Sequence, residues 1–182
     1  MHSASGPASH PADARPQLPG LVHVLLRPIP LPLLRPFLAP IAAHVARAHP
    51  QLFARLGPHA HKRFLIDPLD LPFGLLLTPD PARPQLDACR REQMPGHDAR
   101  IAGTFLDLFG MVDGSIDGDA LFFSRELQIS GDTEAVVALR NALDDMDGSI
   151  LDSVSAAFGP LSRPASLAIS AIRTIRARRP HA

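Results

Sequence analysis

Few side chains of this sequence have the types and spacing that enzyme or metal chemistry requires. The chain holds one cysteine, Cys89, which excludes an internal disulfide and a cysteine-based metal cluster. The nine histidines never form an HExxH motif, and His59 and His61, two apart beside a proline, are more typical of solvated loop side chains. Cys89 lies in a strand-like run, residues 85–91, where an ordinary packing role is expected. We therefore predict no metal site and no cofactor.

Nucleophile and phosphate-binding motifs are also missing. The sequence contains no G-x-S-x-G elbow, no G-x-x-x-x-G-K-[ST] loop and no G-x-G-x-x-G. Asp144, Asp145 and Asp147 are close in sequence, but beside Gly148 at the end of a predicted helix they indicate a solvated turn. The chain has no Trp or Tyr on which nucleic acid bases could stack. No catalytic residue is predicted, and the protein is not expected to be an enzyme.

A strand followed by an apolar helix is predicted after residue 98. Ala99 to Gly103 is predicted to be a short extended run, and Thr104 is a candidate N-cap. The positions i, i+3, i+4 and i+7 of the following helix are apolar and share one face; they are Phe105, Leu108, Phe109 and Val112. Residues 113–119 supply the glycines and short polar side chains of a turn.

A second strand and helix follow this turn. Apolar and polar residues alternate from Leu121 to Ile129, as is typical of a strand. Gly131 and Asp132 are expected to end the strand and cap a helix, with Glu134 in the first turn. The buried stripe of that helix is predicted to be Val136, Leu139, Leu143 and Met146.

This order of elements, and the passage GDALFFSRELQISGD from Gly118 to Asp132, resemble the sterol carrier protein type 2 (SCP2) lipid-binding family. The resemblance implies an α/β (α+β) fold in which helices cover an open, mostly antiparallel five-stranded sheet beside an apolar cavity. It also implies a protein that holds lipid without catalysis. Among the apolar positions, those expected to line the cavity are Phe105, Leu108, Phe109, Phe123, Val136, Leu139 and Leu143. Sequence patterns alone do not separate such a pocket from a solid core, because both use the same residues.

A narrower resemblance is to the UbiT group, small bacterial SCP2-type accessory factors of oxygen-independent ubiquinone biosynthesis. It also uses the strand entry from Arg63 to Pro68 and the basic tail. It implies isoprenoid phenol or quinone ligands, with phospholipid as a further ligand, and hydroxylase partners of the UbiU and UbiV type. Two alternatives stay open: a general phospholipid, fatty-acyl or sterol-type carrier, and a solid protein-interaction module that binds no lipid.

Composition divides the chain into four predicted parts. Residues 1–19 are expected to be disordered, 20–61 to form an apolar, Pro- and Arg-rich helical arm, 62–159 the SCP2-like domain, and 160–182 a basic tail. The formal charges are +4 for residues 1–61, −9 for 62–159 and +5 for 160–182. Two basic ends around an acidic body suit a protein whose termini touch an anionic surface. Together with the resemblance to the UbiT group, this implies a bacterial cytoplasmic protein that touches the inner membrane peripherally.

The arm carries more apolar residues than a surface linker needs. Its prolines and arginines keep each uncharged run below the roughly 18 residues that would span a bilayer. Two interpretations are equally open: a segment that lies in the membrane interface, and an arm that packs onto its own sheet or closes the cavity. Within the arm, Ala42 to Arg55 is predicted to be a helix kinked or split at Pro50.

Overall fold

The computed structural model describes residues 31–112, 127–144 and 162–177. In these residues, five strands form one sheet in the order β3-β2-β1-β4-β5. The strands are β1 Phe64–Pro68, β2 Phe73–Thr78, β3 Gln85–Arg90, β4 Ala99–Gly103 and β5 Gln128–Gly131. β1 and β4 pair in parallel, and the other three pairs are antiparallel. The predicted open, mostly antiparallel five-stranded sheet is confirmed.

Five α-helices are described together with the sheet. They are α1 Arg35–Ala48, α2 Gln51–Leu56, α3 Phe105–Val112, α4 Thr133–Asp144 and α5 Ser162–Ala177. Short 3₁₀ turns cover Leu31–Leu34, Gly57–His61 and Arg91–Gln93. α3 follows β4 directly and α4 follows β5, so both helices leave the sheet from neighbouring strands.

The register of the strands gives the sheet one apolar and one mixed face. Phe64 of β1 lies between Leu77 of β2 and Ala99 of β4, and Ile101 lies beside Ile129 of β5. Successive side chains of a strand point to opposite faces. The residues one position along, which include Leu65, Asp67 and Arg100, therefore occupy the other face, where charged side chains are mixed with aliphatic ones.

The hydrophobic core lies on the apolar face. Helices α2 and α4 pack against each other there, and α4 also contacts β4 and β5. The buried cluster draws on the sheet and on three helices; it contains Leu52, Leu56, Ala60, Phe64, Ala99, Ile101, Leu108, Met111, Leu127, Ala135, Val136, Leu139 and Ala142. The fully buried Leu56, Phe64 and Val136 mark its centre.

The described part of the N-terminal arm packs onto the domain. Helix α1 contacts β3, and Leu52 and Leu56 of α2 belong to the core cluster. Pro50 stands at the N-terminus of α2 and splits the predicted helix, as expected. The described arm thus agrees with the interpretation in which it packs onto its own sheet.

The first helix of the arm is longer than the sequence predicts. It begins at Arg35 rather than Ala42 and includes Pro36 and Pro40. Pro36 lies in the first turn, where the N–H groups have no intrahelical partner, so a proline there removes no hydrogen bond. Pro40 lacks the N–H that would bond to the carbonyl oxygen one turn earlier.

Several sequence-based predictions fall outside the described residues. They concern the disordered residues 1–19, the turn at 113–119, the strand before Leu127, and Met146. The four-part division of the chain stays a prediction. The end of the last strand at Gly131, where φ is +80°, and the start of α4 at Thr133 agree with the sequence.

Candidate lipid-binding site

Helix α3 is fixed at its N-terminus by side chains from two parts of the chain. Thr104 Oγ1 accepts a hydrogen bond from the Asp107 N–H at 3.3 Å, and the Thr104 hydroxyl donates to the Asp107 carboxylate. Asp70, from the turn after β1, accepts from the Phe105 N–H at 2.7 Å. Otherwise unsatisfied N–H groups of the first turn thus have acceptors. The predicted cap at Thr104 is confirmed, while the contribution of Asp70 was not foreseen.

The apolar surface of α3 is wider than the core needs. Leu108 and Met111 belong to the core cluster. At about 100° per residue, Phe105 and Phe109 lie on the side of the helix next to Leu108, and Leu106 lies nearly opposite Leu108. Leu106 is 3% and Phe109 9% exposed, and Phe105 is half-buried. A helix that is apolar over such a wide arc has to be covered on more than its core side.

Helix α4 contributes the second wall of the candidate site. Asp132 Oδ1 accepts a hydrogen bond from the Ala135 N–H at 2.9 Å, which caps the helix as predicted. Val136 is 1% and Leu139 3% exposed, whereas Leu143 is half-buried. The stripe therefore becomes less covered toward the C-terminal end of α4.

Four of the seven predicted lining residues come together. Leu108, Val136 and Leu139 are members of one buried cluster, and Leu143 packs against its edge. Phe105 and Phe109 pair with each other, with ring centroids 6.0 Å apart. Phe123 lies outside the described residues.

Around the fully buried cluster lies a rim of partly buried apolar side chains. These residues come from α1, α2, α3, α4 and three strands; they are Val45, Phe53, Ile66, Leu77, Val112, Ile129, Ala138 and Leu143. They pack against the core but retain accessible surface. An aliphatic ligand would bind against apolar surface of this kind, which is neither fully buried nor fully solvated.

The mixed face of the sheet holds an ion cluster that sequence reasoning missed. The Asp67 carboxylate is fully buried; Oδ2 accepts from Arg100 Nε at 3.0 Å, and Arg91 Nη2 lies 2.9 Å from Oδ1. Arg91 also donates to the carbonyl oxygens of Pro68 and Leu71 at 2.6 and 3.1 Å. The sequence does contain a signal for this cluster, because each of two otherwise apolar strands holds one charged residue: Asp67 in FLIDP and Arg100 in ARIAG.

Cys89 shows no sign of a reactive role. Burial raises the pKa of its thiol, although a hydrogen bond from the Gly74 backbone opposes the shift. A protonated thiol is a weak nucleophile. Gly74 faces Cys89 across the β2–β3 ladder. Within the described ranges, no group of three His, Cys, Asp or Glu side chains is arranged to hold a metal ion.

A family model for the SCP-2 sterol transfer family matches residues 43–144, which is more than half of the chain. The chain belongs to the SCP-2 family. The match begins within α1 and ends with the last residue of α4, so it includes the sheet and the helices that form the core. Membership in the SCP-2 family supports a lipid carrier role for the domain.

Three solved structures are similar to this chain at low sequence identity. The ubiquinone synthesis protein UbiJ-SCP2 is 19% identical, covers 70% of this chain and 94% of its own, and has a TM-score of 0.43. The apo sterol carrier protein 2 of Yarrowia lipolytica is 14% identical with coverages of 70% and 93% and a TM-score of 0.38. The sec-alkylsulfatase Pisa1 of a Pseudomonas species is 16% identical over 52% of this chain but 14% of its own, with a TM-score of 0.41.

No curated protein sequence matches this chain significantly. The family match and the five-stranded mixed sheet together identify the SCP-2 fold. No described helix has both the length and the hydropathy needed to cross a membrane.

Proposed function

We propose that this SCP-2 protein holds polyprenylated phenol or quinone intermediates of oxygen-independent ubiquinone biosynthesis as a non-catalytic accessory factor. The observation that carries the proposal is the wide apolar arc of α3: Phe105, Leu106 and Phe109 lie outside the main buried cluster, and Phe105 is only half-buried although Leu106 and Phe109 are covered. The family membership supplies the lipid-carrier class. The narrower choice of an isoprenoid rests on the sequence resemblance to the UbiT group.

An isoprenoid tail needs such a carrier for a physical reason. Each CH₂ group exposed to water costs about 0.8 kcal/mol, so a long polyprenyl chain does not leave a membrane unaided. A protein that covers the tail and leaves the ring outside would bring the ring within reach of soluble enzymes. That role requires apolar surface but no catalytic side chain.

The seven residues expected from the sequence remain our proposed lining. Leu108, Val136 and Leu139 would form the wall behind the tail, and Leu143 its partly open end. Phe105 and Phe109 would contact the tail from the adjoining side of α3. Phe123, in the neighbouring segment of the chain, completes the proposed set.

The proposed partners are hydroxylases of the UbiU and UbiV type, by resemblance to the UbiT group. The protein would act in the bacterial cytoplasm, collect its ligand at the inner membrane and present the ring to these enzymes. The acidic body, residues 62–159 with a formal charge of −9, would supply the surface for such contacts.

A tryptophan reporter tests the proposal directly. The chain has no Trp or Tyr, so Phe105→Trp introduces a single fluorophore beside the proposed tail. We would titrate this variant with a short-chain polyprenyl phenol, palmitate and phosphatidylglycerol. Phe73→Trp, at a half-buried site on β2 that belongs to neither the core cluster nor its rim, is the matched control.

The expected result is a saturable shift of the tryptophan emission in the Phe105→Trp variant that is strongest for the polyprenyl phenol and smaller in the Phe73→Trp control. An equal response to all three lipids would favour a general lipid carrier. No response to any lipid, from a protein that unfolds cooperatively, would contradict lipid binding and favour the interaction module.

A further inference from the structure

Helix α5 carries the most exposed large apolar side chains among the described residues. Leu167 is 71% and Ile175 54% exposed, compared with 44% for Val137 of α4 and 39% for Leu69. Ala171, halfway between the two, is also exposed. Residues spaced by four drift by only about 40° around a helix, so Leu167, Ala171 and Ile175 form one continuous stripe.

The other side of α5 is more covered. Ile169 and Ile172 are half-buried, and they lie away from the stripe on the helical wheel. The helix therefore has two apolar sides, of which one is partly covered and one is open. The apolar residues of α5 therefore do not fall on a single helical face.

Two hydroxyl groups of α5 are already satisfied within the helix. The Thr174 hydroxyl donates to the Ser170 carbonyl at 2.9 Å, and the Ser166 hydroxyl donates to the Arg163 carbonyl at 2.9 Å. A hydroxyl that bonds to its own helix backbone loses little when the water around it is removed. These two side chains can therefore enter an environment poor in water.

The charges around α5 indicate what kind of surface covers the stripe. Residues 160–182 contain five Arg and no acidic residue, whereas residues 62–159 have a formal charge of −9. Arg163 is exposed, and its long side chain can keep its charge at the level of lipid headgroups. A second copy of α5 would bring like charges together. An anionic lipid surface attracts the helix and repels the body, and so orients the molecule.

We propose that α5 docks in the interface of an anionic membrane through Leu167, Ala171 and Ile175, with Arg163 at the phosphate level. An amphipathic helix with a basic polar side binds membranes in this way without crossing them. This inference does not depend on the ligand of the core site. Its biological purpose rests on the proposed function. It deepens that function by giving the carrier a membrane surface from which to collect a lipid.

The test uses the full chain and sedimentation with vesicles of phosphatidylcholine alone or with added phosphatidylglycerol. We expect binding to the anionic vesicles only, weakened by salt. The double substitution Leu167→Ser with Ile175→Ser is expected to lower partitioning by about tenfold or more, and Arg163→Gln by about fivefold. Val137→Ser, an exposed apolar site on α4, should leave partitioning unchanged.

Three results would overturn the inference. One is equal binding of the wild type and the Leu167/Ile175 variant to anionic vesicles. Another is no vesicle binding by the wild type. The third is a wild-type dimer in light scattering that the double substitution dissociates, which would assign the stripe to a second copy. The response of the Phe105→Trp reporter to lipid separates a failure of α5 docking from a failure of the core site.

Discussion

The rings of Phe105 and Phe109 lie 6.0 Å apart between centroids and are tilted by 44°. This distance lies within the range of favourable aromatic pairs. The two residues are one helical turn apart and stand on the side of α3 that adjoins the core. Their position distinguishes residues proposed to contact ligand from residues that hold the domain together.

This distinction predicts different outcomes for two truncations. Phe105 is half-buried, so Phe105→Ala should lower affinity for a polyprenyl phenol by about tenfold while costing less than about 2 kcal/mol of unfolding free energy. Leu139 is 3% exposed and belongs to the core cluster, so Leu139→Ala should lower the unfolding free energy by about 2–5 kcal/mol. Denaturant unfolding with and without lipid measures both effects. If Phe105→Ala left affinity unchanged, the pair would have no ligand contact.

Gly131 makes a second prediction because its backbone has a φ of +80° and no room for a side chain. A Cβ at this position would overlap the Asp98 carbonyl oxygen. Gly131→Ala should therefore cost more than the roughly 1–2 kcal/mol of the left-handed conformation alone. Gly57→Ala is the matched control, because Gly57 has a φ of +51° and nothing within 4 Å of a Cβ. Equal losses of unfolding free energy would contradict the overlap.

The ion pair between Lys62 and Asp132 predicts a pH-dependent stability. The hydrogen bond from Lys62 lowers the pKa of Asp132, and the same bond raises the pKa of Lys62. The contribution of the pair is thus complete between the ordinary carboxyl and lysine pKa values, about 3.9 and 10.4. It is lost as the pH falls through the lowered pKa of Asp132, or rises through the raised pKa of Lys62.

Asp132→Asn isolates this effect, since an amide oxygen can still cap α4 at Ala135. Urea unfolding should find the variant less stable than the wild type at pH 7. The difference should shrink as the pH falls below about 4, where the unfolded carboxyl takes up a proton. A difference that stays constant from about pH 7 to about pH 2 would show that the pair does not stabilise the fold. Lys62→Met should behave in the same way.

The buried carboxylate of Asp67 gives a fourth prediction. Asp67→Ala leaves Arg91 and Arg100 without their shared counterion and should cost about 3–5 kcal/mol of unfolding free energy. Asp144→Ala is the surface control, because its i, i+4 pair with Arg140 is worth less than about 0.5 kcal/mol. Thermal unfolding compares the two. If Asp67→Ala lowered the unfolding free energy as little as Asp144→Ala, water would be able to replace the Asp67 carboxylate as the partner of the two arginines.

Local signals in the sequence were sufficient to place several elements. The Thr104 cap, the Gly131–Asp132 junction and the strand at residues 99–103 follow from short-range chemistry, and the structure confirms them. The mostly antiparallel character of the sheet came from the family resemblance, because periodicity carries no information about which strands are neighbours. The helix start at Arg35 was not predicted, since proline breaks most helices but is tolerated in a first turn.

The interactions that join distant residues could not be predicted in the same way. Asp67 and Arg100 are 33 residues apart, and their contact depends on the β1–β4 register. Asp70 reaches the start of α3 across 35 residues for the same reason. The apolar periodicity of α3 was correct, but it did not separate the side of Leu108 from the side of Phe105 and Phe109. That separation depends on how the helix is rotated against the sheet.

The isoprenoid ligand proposed for this SCP-2 protein can be sought by native mass spectrometry with lipid extraction, on protein purified from a bacterial host grown without oxygen. We expect a co-purified polyprenyl phenol or quinone that is depleted in the Phe105→Ala variant. Protein that carries only phospholipid, or that stays empty when isoprenoids are added, would show that the chain is not an isoprenoid carrier.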